Sequence, residues 1–489
     1  MKERNGPSLL ERLQVHREGG YLSLHMPGHK ENAAMASYLS ALSAGLDITE
    51  LPDFDDLHDP AGILAESMER AAAIFGSGES LYQVNGSTGA LLAAVRGSTR
   101  RGDRVLVARH CHKAIYHALE LCGLEPVFLL PETVPSFGLS GSITPEQVAA
   151  ALENVPDVRL VIYPSPTYDG ILSDTAGICA VAHARRVPVL VDEAHGAHLG
   201  LSPCFPAGAV AQGADLVVAS LHKMLPSLTQ TAVLHMSGDL TDRAEVRRQA
   251  GIFQSSSPSY LLMASMDGCI RLLEECGAAL FEAWARRLRD FDRRVSGLQH
   301  LRLMGHGDEA GRSYPGVFAL DPAKILISTR SCSLTGVALK EKLREEHRIE
   351  LEMALDSYAV AMTGLGTGDD MAPRLAEALL TLDMVCGPVL SERPDVPALT
   401  LPPRRVELEK AVRGTGELVP IRQAVGRIAG EYLWAYPPGI PLVIPGEEIT
   451  GGLADTAERL HGAGVRLVGT KGHPPGSVAV LSSDGSDDP

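Results

Sequence analysis

The chain lacks the features that nucleic-acid motors and nucleotide-driven enzymes need. No lysine directly follows a glycine, so no phosphate loop of the form G-x-x-x-x-G-K-[ST] is present. Acidic residues outnumber basic residues by 60 to 44, which gives a formal net charge of -16. Because affinity for phosphate backbones comes mostly from Lys and Arg, nucleic acid is not an expected partner. The Asp-Glu-Ala-His run at 192–195 therefore does not indicate a helicase.

Paired cysteines, long apolar runs and an N-terminal signal are also missing. The eight cysteines include no C-x-x-C pair, and we expect them to be reduced thiols. No apolar run reaches the roughly 18 residues of a membrane helix. The N-terminus has scattered charges instead of an apolar segment, so a cytoplasmic protein is expected. Histidine pairs such as His25 with His29 lack the ligand number and spacing of zinc sites, so no metal is expected.

Short apolar segments alternate with helix-like segments from about residue 60 to 300. The apolar segments are typical of strands and lie at 103–109, 125–130, 159–165, 187–193 and 215–223. This alternation predicts crossover units and a mostly parallel sheet that is buried on both faces. Ligands of such sheets bind outside the carboxyl ends of the strands. The sequence thus predicts an α/β fold with its functional site at these strand ends.

The remainder of the chain predicts further units. Apolar residues at spacings of three and four over 281–298 indicate an amphipathic helix that leaves the large domain. A second α/β pattern follows, with strands near 314–320, 324–329 and 350–362 and helices near 335–347 and from Asp369 or Asp370. The proline-rich stretch 393–405 is typical of a linker. We therefore predict an N-terminal arm, a large domain, a small α/β domain and a C-terminal domain at 1–50, 51–300, 301–392 and 406–489.

Two charged residues that follow separate apolar segments form the most informative pair in the sequence. Val187–Val191 leads to Asp192, and Leu216–Ala219 leads to Lys223, 31 residues after that aspartate. Pyridoxal phosphate requires both groups, because a lysine forms a Schiff base with its aldehyde and a carboxylate keeps its pyridine nitrogen protonated. A lone lysine after a strand is usually solvated, so the prediction depends on the pair.

Small and hydroxyl-bearing residues precede a predicted helix near residue 86. Backbone amides at the start of a helix bind anions, and nearby hydroxyls add donors. An ordinary helix cap is the alternative interpretation, since Ser and Thr are common at that position. The phosphate interpretation becomes the better one when residues beside Lys223 are included. The residues predicted to hold a phosphate are Gly86, Ser87, Thr88, Ser220 and His222.

Two histidines follow predicted strands and can reach the same cofactor. His112 lies after the strand at 103–109, where an imidazole could lie flat on a pyridine ring. His195 lies three residues after Asp192 and is predicted to be near the ring or the substrate. A lone histidine is more often structural, so residue type alone leaves both assignments open.

Nine runs in a fixed order carry a resemblance that covers nearly the whole chain. They are HMPGHK (25–30), DITELPDFDDLHDPAG (47–62), NGSTGA (85–90), HCHKA (110–114), YPSPTYDG (163–170), VDEAHGAH (191–198), SLHKMLPSLTQTAVLH (220–235), FQSSSPSY (253–260) and YPPGIPLVIPGE (436–447). With these runs the chain resembles the ornithine/lysine/arginine decarboxylases that depend on pyridoxal phosphate. It resembles specifically their short form, which lacks an N-terminal regulatory wing domain.

The resemblance implies the pyridoxal-phosphate-dependent transferase fold of type I and a role for each matched residue. Lys223 would be the Schiff-base lysine, Asp192 the partner of the pyridine nitrogen, and His112 the histidine that stacks on the ring. The phosphate would be held by Ser87, Thr88, Ser220 and His222. His195 stands where larger relatives often have tryptophan, so its role is left open. The family works as dimers with shared sites, which implies that FQSSSPSY or HMPGHK faces the neighbouring subunit.

The implied reaction is loss of carbon dioxide from arginine, lysine or ornithine, which gives an amine for polyamine metabolism. A cationic side chain needs acidic partners in a partly desolvated pocket. Glu447 is the first candidate, and Asp55 and Asp56, with Asp53 beside them, are the others. A solvated acidic loop is the alternative interpretation of these three aspartates. Two alternatives stay open: an aminotransferase or lyase of the same fold, in which Arg330 would clamp the substrate carboxylate, and a cofactor-binding regulator without turnover.

Overall fold

The computed structural model describes residues 18–24, 28, 30, 54–387, 401–436, 440–462, 465–471 and 476–482. The strands are β1 Leu22–Leu24, β2 Glu79–Gln83, β3 Arg104–Ala108, β4 Glu125–Leu129, β5 Thr133–Val134, β6 Leu139–Ser140, β7 Val158–Pro164, β8 Ile171–Leu172, β9 Val189–Asp192, β10 Leu216–Ser220, β11 Ala232–Met236, β12 Arg302–Met304, β13 Ala319–Leu320, β14 Lys324–Ser328, β15 Ile349–Leu351, β16 Met353–Ala354, β17 Tyr358–Met362, β18 Gly416–Pro420, β19 Leu433–Tyr436, β20 Ile440–Val443, β21 Arg466–Gly469 and β22 Ser477–Leu481. The helices are α1 Ile63–Phe75, α2 Gly86–Ser98, α3 Lys113–Cys122, α4 Pro145–Asn154, α5 Thr175–His183, α6 Leu221–Met224, α7 Arg243–Ile252, α8 Tyr260–Arg294, α9 Gly336–His347, α10 Met371–Val385, α11 Leu408–Arg413 and α12 Gly451–Gly462. Most of the predicted arm, most of the predicted linker, His25 and His29 lie outside the described residues.

A seven-stranded sheet organises the first half of the chain, in the order β2-β11-β10-β9-β7-β3-β4. β11 is antiparallel to both of its neighbours, and the other adjacent pairs are parallel. Apolar clusters cover both faces, with Ala219 in one cluster and Val218 in the other. Such two-sided burial explains why the strands are continuous apolar runs. The predicted α/β class with a mostly parallel sheet is confirmed, and β2 and β11 are strands that the sequence pattern did not indicate.

The carboxyl ends of the parallel strands meet at one edge of this sheet. β9 ends at Asp192 and β10 ends at Ser220, and these two strands are direct neighbours. β2 runs in the same direction as β10, because each is antiparallel to β11 between them. The start of α2, which directly follows β2, therefore lies at the same edge as Asp192 and Lys223.

The 35-residue helix α8 joins the large sheet to a second sheet. The sequence pattern predicted this helix only from residue 281, but its first half also buries apolar residues at helical spacing, including Met263, Met266 and Ile270. It ends at Arg294 and not at 298. Among the helices of the described ranges, α8 included, none is both long and apolar enough to cross a bilayer.

The second sheet has four antiparallel strands in the order β12-β14-β17-β16 and carries helices α9 and α10. The helices match the predicted positions, and α10 begins directly after Asp370. Two strand predictions were wrong in extent. The stretch 314–320 contributes only β13, which pairs with β8 and not with this sheet. The stretch 350–362 is divided into β15, β16 and β17.

The C-terminal residues build a third unit from β18–β22 and α12 around its own apolar cluster. This unit packs on the large sheet through aromatic contacts. Tyr432 stacks on Trp434 with ring centroids 4.9 Å apart, and Trp434 meets Tyr116 of α3 edge-on at 5.5 Å. Aromatic contacts of this kind add about 0.5–1.5 kcal/mol each beyond their buried area. The C-terminal unit is therefore fixed beside the edge of the sheet that holds the predicted site.

Candidate active site

A cavity of 630 Å³ opens at the carboxyl edge of the central sheet. The cofactor residues predicted from the sequence all line it: Gly86, Ser87, Thr88, His112, Asp192, His195, Ser220, His222 and Lys223. The C-terminal unit adds an apolar side through Ile440, Leu442 and Leu453. A largely apolar cavity of this size with a few convergent polar groups is typical of a small-molecule site.

The first turn of α2 forms one part of the wall. Gly86 has a φ of +66°, in the left-handed region that glycine adopts without strain. Ser87 Oγ lies 2.5 Å from Ser220 Oγ, which connects the start of α2 to the end of β10. Hydroxyls and backbone amides at a helix N-terminus are the donors that a phosphate accepts. This part of the wall can hold a phosphate.

His222 lies beside these hydroxyls with its tautomer fixed. Its Nδ1 is 2.9 Å from the carbonyl oxygen of Thr231, and because a carbonyl only accepts, Nδ1 carries the proton. Burial lowers the pKa of His222 to about 4. At neutral pH its Nε2 is therefore a bare acceptor, and it can donate to an anion only after the anion has raised that pKa.

Asp192 ends β9 with a buried carboxylate in the cavity wall. Its Oδ1 accepts a hydrogen bond of 3.1 Å from the backbone nitrogen of Ala194. Burial raises the pKa of Asp192, and the positive charge of Lys223 opposes that shift. A buried carboxylate stabilises a cation placed next to it, and a protonated pyridine nitrogen is such a cation.

Lys223 lies in the short helix α6, directly after β10, and its Nζ is 3.0 Å from Nε2 of His195. Burial lowers the pKa of Lys223, while the carboxylates of Asp192 and Glu352 oppose the shift. A lowered pKa increases the fraction of neutral amine, which is the nucleophilic form of lysine. The environment of Lys223 is thus one that favours attack on an aldehyde.

A second buried lysine, Lys324 at the start of β14, lies on the other side of His195. Its Nζ is 2.8 Å from Nδ1 of His195, and burial lowers its pKa to about 8. Sequence reasoning missed Lys324, because a lysine in an apolar strand gives no signal of a partner 129 residues away. Tyr168, which packs edge-on against His195 with ring centroids 4.7 Å apart, was noticed only as part of a strand end.

The run HCHKA places two histidines in the cavity wall. His112 caps α3, since its Nδ1 accepts a hydrogen bond of 3.2 Å from the backbone nitrogen of Ala114. Burial lowers the pKa of His112 to about 3, so the ring is neutral. His110 was not singled out from the sequence; it is buried, and neither ring nitrogen has a partner among the described residues. Buried polar atoms without partners in a cavity wall indicate a place where a ligand binds.

The family follows from sequence matches to known proteins. The Orn/Lys/Arg decarboxylase major-domain family matches residues 7–306, and the family's C-terminal domain matches residues 393–460. The chain belongs to the Orn/Lys/Arg decarboxylase family. An arginine decarboxylase from Bacillus subtilis (strain 168) is 33% identical to this Orn/Lys/Arg decarboxylase over 453 residues, which is 90% of either chain. Lysine decarboxylase LdcA from Pseudomonas aeruginosa is 26% identical over 560 residues, covering 91% of this chain and 74% of LdcA.

Solved structures agree on the fold of this Orn/Lys/Arg decarboxylase. The lysine decarboxylase LdcF from Francisella novicida superposes with a TM-score of 0.73 at 19% identity, covering 97% of this chain and 84% of LdcF. An alanine–glyoxylate aminotransferase from Nostoc sp. superposes with a TM-score of 0.55 at 16% identity, covering 74% of this chain and 95% of its own. At these identities the likeness shows the fold alone, which is the predicted type I fold. The family uses pyridoxal phosphate, so the chain is a decarboxylase of that cofactor class.

The structure corrects the substrate role predicted for Glu447 in this Orn/Lys/Arg decarboxylase. The two Glu447 oxygens accept hydrogen bonds of 3.0 and 2.8 Å from the guanidinium of Arg109. The backbone nitrogen of Ile444 donates a third, also of 3.0 Å. Both charged side chains are buried, and neither lines the cavity. The carboxylate joins the C-terminal unit to the end of β3 and is not available to a substrate cation.

Asp55 and Asp56 also lie outside the cavity wall of the Orn/Lys/Arg decarboxylase, contrary to the prediction. The Asp55 carboxylate accepts hydrogen bonds from backbone nitrogens before and within the first turn of α1, at Ala61, Gly62 and Leu64. Asp56 accepts one of 2.8 Å from the backbone nitrogen of His58. Both aspartates therefore stabilise the segment before α1, while Asp53 lies outside the described residues. The acidic side chains in the described part of the cavity wall are Asp169 and Asp192.

Proposed function

We propose that this decarboxylase binds pyridoxal phosphate through Lys223 and removes the carboxylate of a basic amino acid as carbon dioxide, with arginine as the first candidate substrate. The observation that carries the proposal is that Lys223, Asp192 and the Ser87–Ser220 pair line one cavity. Four relatives named arginine decarboxylase are 32–33% identical to the chain, whereas three named lysine decarboxylase are 22–26% identical. Arginine is therefore to be tested before lysine and ornithine.

The residues in the wall fit the proposed cofactor. The donors at the start of α2 suit its phosphate, and the buried Asp192 suits its pyridine nitrogen. Lys223 follows β10, which lies in the sheet between β9, the strand that ends at Asp192, and β2, the strand before the phosphate donors. His112 offers a neutral ring. The nitrogens of His110, which have no partner among the described residues, are a further sign that a polar ligand completes the wall. When bound, the cofactor supplies an electron sink for the electron pair that remains when carbon dioxide leaves.

The chain's own residues bind the substrate, exclude water and move protons. Lys223 would hold the cofactor before the substrate amine binds, and its amine would bind the cofactor again as the product amine leaves. The proton that the substrate Cα gains in exchange for the carboxylate is assigned to Lys223 Nζ or to Nε2 of His195, which lies 3.0 Å from it. The apolar side formed by Ile440, Leu442 and Leu453 reduces access of water to these groups.

The aminotransferase alternative requires an arginine that clamps the substrate carboxylate. Arg330 was the candidate, but it lies six residues after Lys324 in the sequence, beyond the end of β14. At about 3.3 Å per residue, Lys324, which touches His195, and Ser328 at the other end of β14 are roughly 13 Å apart, and Arg330 lies beyond Ser328. Within the described ranges no arginine lines the cavity. This absence of a clamp favours loss of the carboxylate over its retention.

The deciding experiment measures carbon dioxide and amine release from purified, cofactor-loaded protein. Arginine, lysine and ornithine are supplied separately, and citrulline is the control because it matches arginine in length without its charge. We expect equal amounts of carbon dioxide and amine from arginine and none from citrulline. An oxo acid without carbon dioxide would instead establish transamination, and no product from any basic substrate would overturn the proposal.

Replacing Asp192 with asparagine should weaken cofactor binding and slow turnover by about a hundredfold each, as expected when one partner of a buried charge pair is lost. The amide can still accept the hydrogen bond from Ala194, but it no longer stabilises a positive pyridine nitrogen. Reconstitution with increasing cofactor gives the dissociation constant, and saturated enzyme gives kcat. Asp290→Asn, which alters an exposed carboxylate on α8, is the control. Unchanged values for Asp192→Asn would remove this residue from the site.

The proposal extends to assembly and to metabolic role. Ser255 and Ser257 are exposed in the run FQSSSPSY, and the carbonyl of Phe253 accepts a 2.7 Å hydrogen bond from Asn85, directly before α2. We propose that this segment faces a second copy in a homodimer and that the product amine serves polyamine metabolism. Light scattering at assay concentration tests the first part, since a fully active monomer would contradict a shared site.

A further inference from the structure

Two lysines, the buried Lys324 and the partly buried Lys223, contact opposite nitrogens of one imidazole beside the cavity. Lys324 Nζ is 2.8 Å from Nδ1 of His195, and Lys223 Nζ is 3.0 Å from Nε2. His195 is 7% exposed and Lys324 is 3% exposed, so water does not compete for the contact between them. A hydrogen-bonded chain of three groups therefore runs from the start of β14 to the helix after β10.

Hydrogen-bond counting limits the protonation states of this chain. A neutral imidazole has one N–H and one lone pair, whereas an ammonium group can only donate. If Lys223 and Lys324 were both ammonium groups, both nitrogens of His195 would have to accept, which requires an imidazolate. Burial and the two flanking lysines hold the pKa of His195 well below its usual value, so the imidazolium is not populated at neutral pH. At most one of the two lysines is therefore an ammonium group.

The contacts of Lys324 select it as the charged member. Its Nζ has three acceptors: Nδ1 of His195, the carbonyl oxygen of Tyr168 at 3.2 Å and the sulfur of Met362 at 3.0 Å. Three acceptors match the three N–H bonds of an ammonium group. When Lys324 donates to Nδ1, the proton of His195 is on Nε2 and points at the lone pair of Lys223 Nζ.

We propose that Lys324 is a positioning residue that acts through His195 to keep Lys223 as a free amine. This inference rests on the proposed function, because the free amine is the form that attacks the cofactor aldehyde. The atoms balance without another reactant. The amine nitrogen forms a C=N bond with the aldehyde carbon, and its two hydrogens leave with the aldehyde oxygen as water. An ammonium at Lys223 would first have to lose a proton to a base.

Other charged and titratable groups act on the same two lysines. Those that face Lys223 are Asp192, Glu352, His112 and His222. Those that face Lys324 are Glu352, Asp321, Asp169 and Lys30. Removal of the Lys324 charge would change the pKa of Lys223 directly through space as well as through the hydrogen bonds of His195. A test must separate these two routes.

A double-mutant cycle separates them. Full-length protein is freed of cofactor, and the rate of pyridoxal phosphate attachment is followed by visible absorbance from neutral to alkaline pH, with borohydride trapping to locate the product on Lys223. We expect Lys324→Met to raise the pH of half-maximal rate by about one unit, which is a tenfold loss at neutral pH. In a His195→Gln background we expect Lys324→Met to add no further shift. An equal shift in both backgrounds would show that charge acts through space and would overturn the proposal.

A matched control variant and a second measurement keep the proposal testable if Lys324→Met folds poorly. Lys340→Met removes a half-buried lysine whose Nζ contacts the carbonyl oxygen of Glu352 and not His195, and it should keep the unaltered profile. Nitrogen-15 NMR of histidine-labelled, cofactor-free protein reports the tautomer of His195, identified as the signal absent from His195→Gln. A proton on Nε2 is expected, and a proton on Nδ1 would overturn the proposal. No attachment of cofactor to the unaltered protein would instead contradict the proposed function.

Discussion

Replacing Lys223 with alanine is expected to abolish the visible absorbance of the cofactor-loaded protein and to lower kcat on the order of a thousandfold or more, as for the loss of other enzyme nucleophiles. Lys223 is the lysine whose Nζ lines the cavity with Asp192 and contacts His195. Alanine leaves no amine to bind the aldehyde or to displace the product. Absorbance spectra and amine release under saturating arginine measure the two effects.

Lys342→Ala is the matched control, because Lys342 forms an exposed ion pair with Glu346 on α9, far from the cavity wall. It should retain the spectrum and the rate of the unaltered protein. Retained turnover in Lys223→Ala would show that another lysine binds the cofactor. A retained biological effect without any turnover would revive the regulator alternative.

Replacing Glu447 with glutamine should lower the free energy of unfolding by about 3–5 kcal/mol, the usual cost of breaking a buried ion pair from one side. The change leaves the buried guanidinium of Arg109 without its counter-charge at the contact between the C-terminal unit and β3. Urea unfolding at neutral pH, followed by the fluorescence of Trp434 at the same contact and of Trp284, the second tryptophan, measures the loss.

Two further variants make this result specific to the buried pair. Glu448→Gln alters the next residue along the chain, whose partner Arg405 is 57% exposed, and should cost only about 0–1 kcal/mol. Arg109→Met combined with Glu447→Met removes both charges and should recover most of the loss, because the desolvation cost disappears with them. A Glu447→Gln protein of unaltered stability with a raised KM for arginine would restore the substrate role predicted from the sequence.

Five of the seven strands of the central sheet could be predicted, because their signal is local. Strands buried on both faces must be continuous apolar runs, and the runs ending at Asp192 and before Lys223 are strands β9 and β10 in the structure. Pairing over long separations gives no such signal. Ala319–Leu320 pairs with Ile171–Leu172 and not with the neighbouring second sheet, which no pattern within 314–320 could indicate.

The same distinction explains which site residues could be predicted. The residues assigned to the phosphate, the ring and the Schiff base lie at or just after strand ends and line one cavity, so local sequence was enough to indicate where they lie. The acidic residues were assigned by charge alone, and charge does not distinguish a substrate ligand from a structural ion pair. Glu447 has its partner 338 residues away at Arg109, and Asp55 has backbone partners that exist only after α1 has formed. Lys324 was missed because its partner His195 is 129 residues away in the sequence.

The contribution of the C-terminal unit to the cavity has a consequence for synthesis of the protein on the ribosome. The wall is assembled from residues as far apart as Asn85 and Leu460. A nascent chain that extends past β11 has every strand of the central sheet, but its cavity stays open on the side that Leu442 and Leu453 later cover. A prematurely terminated chain therefore leaves Lys223 more accessible to solvent, and the cavity gains its apolar side only when the nearly complete polypeptide has been made.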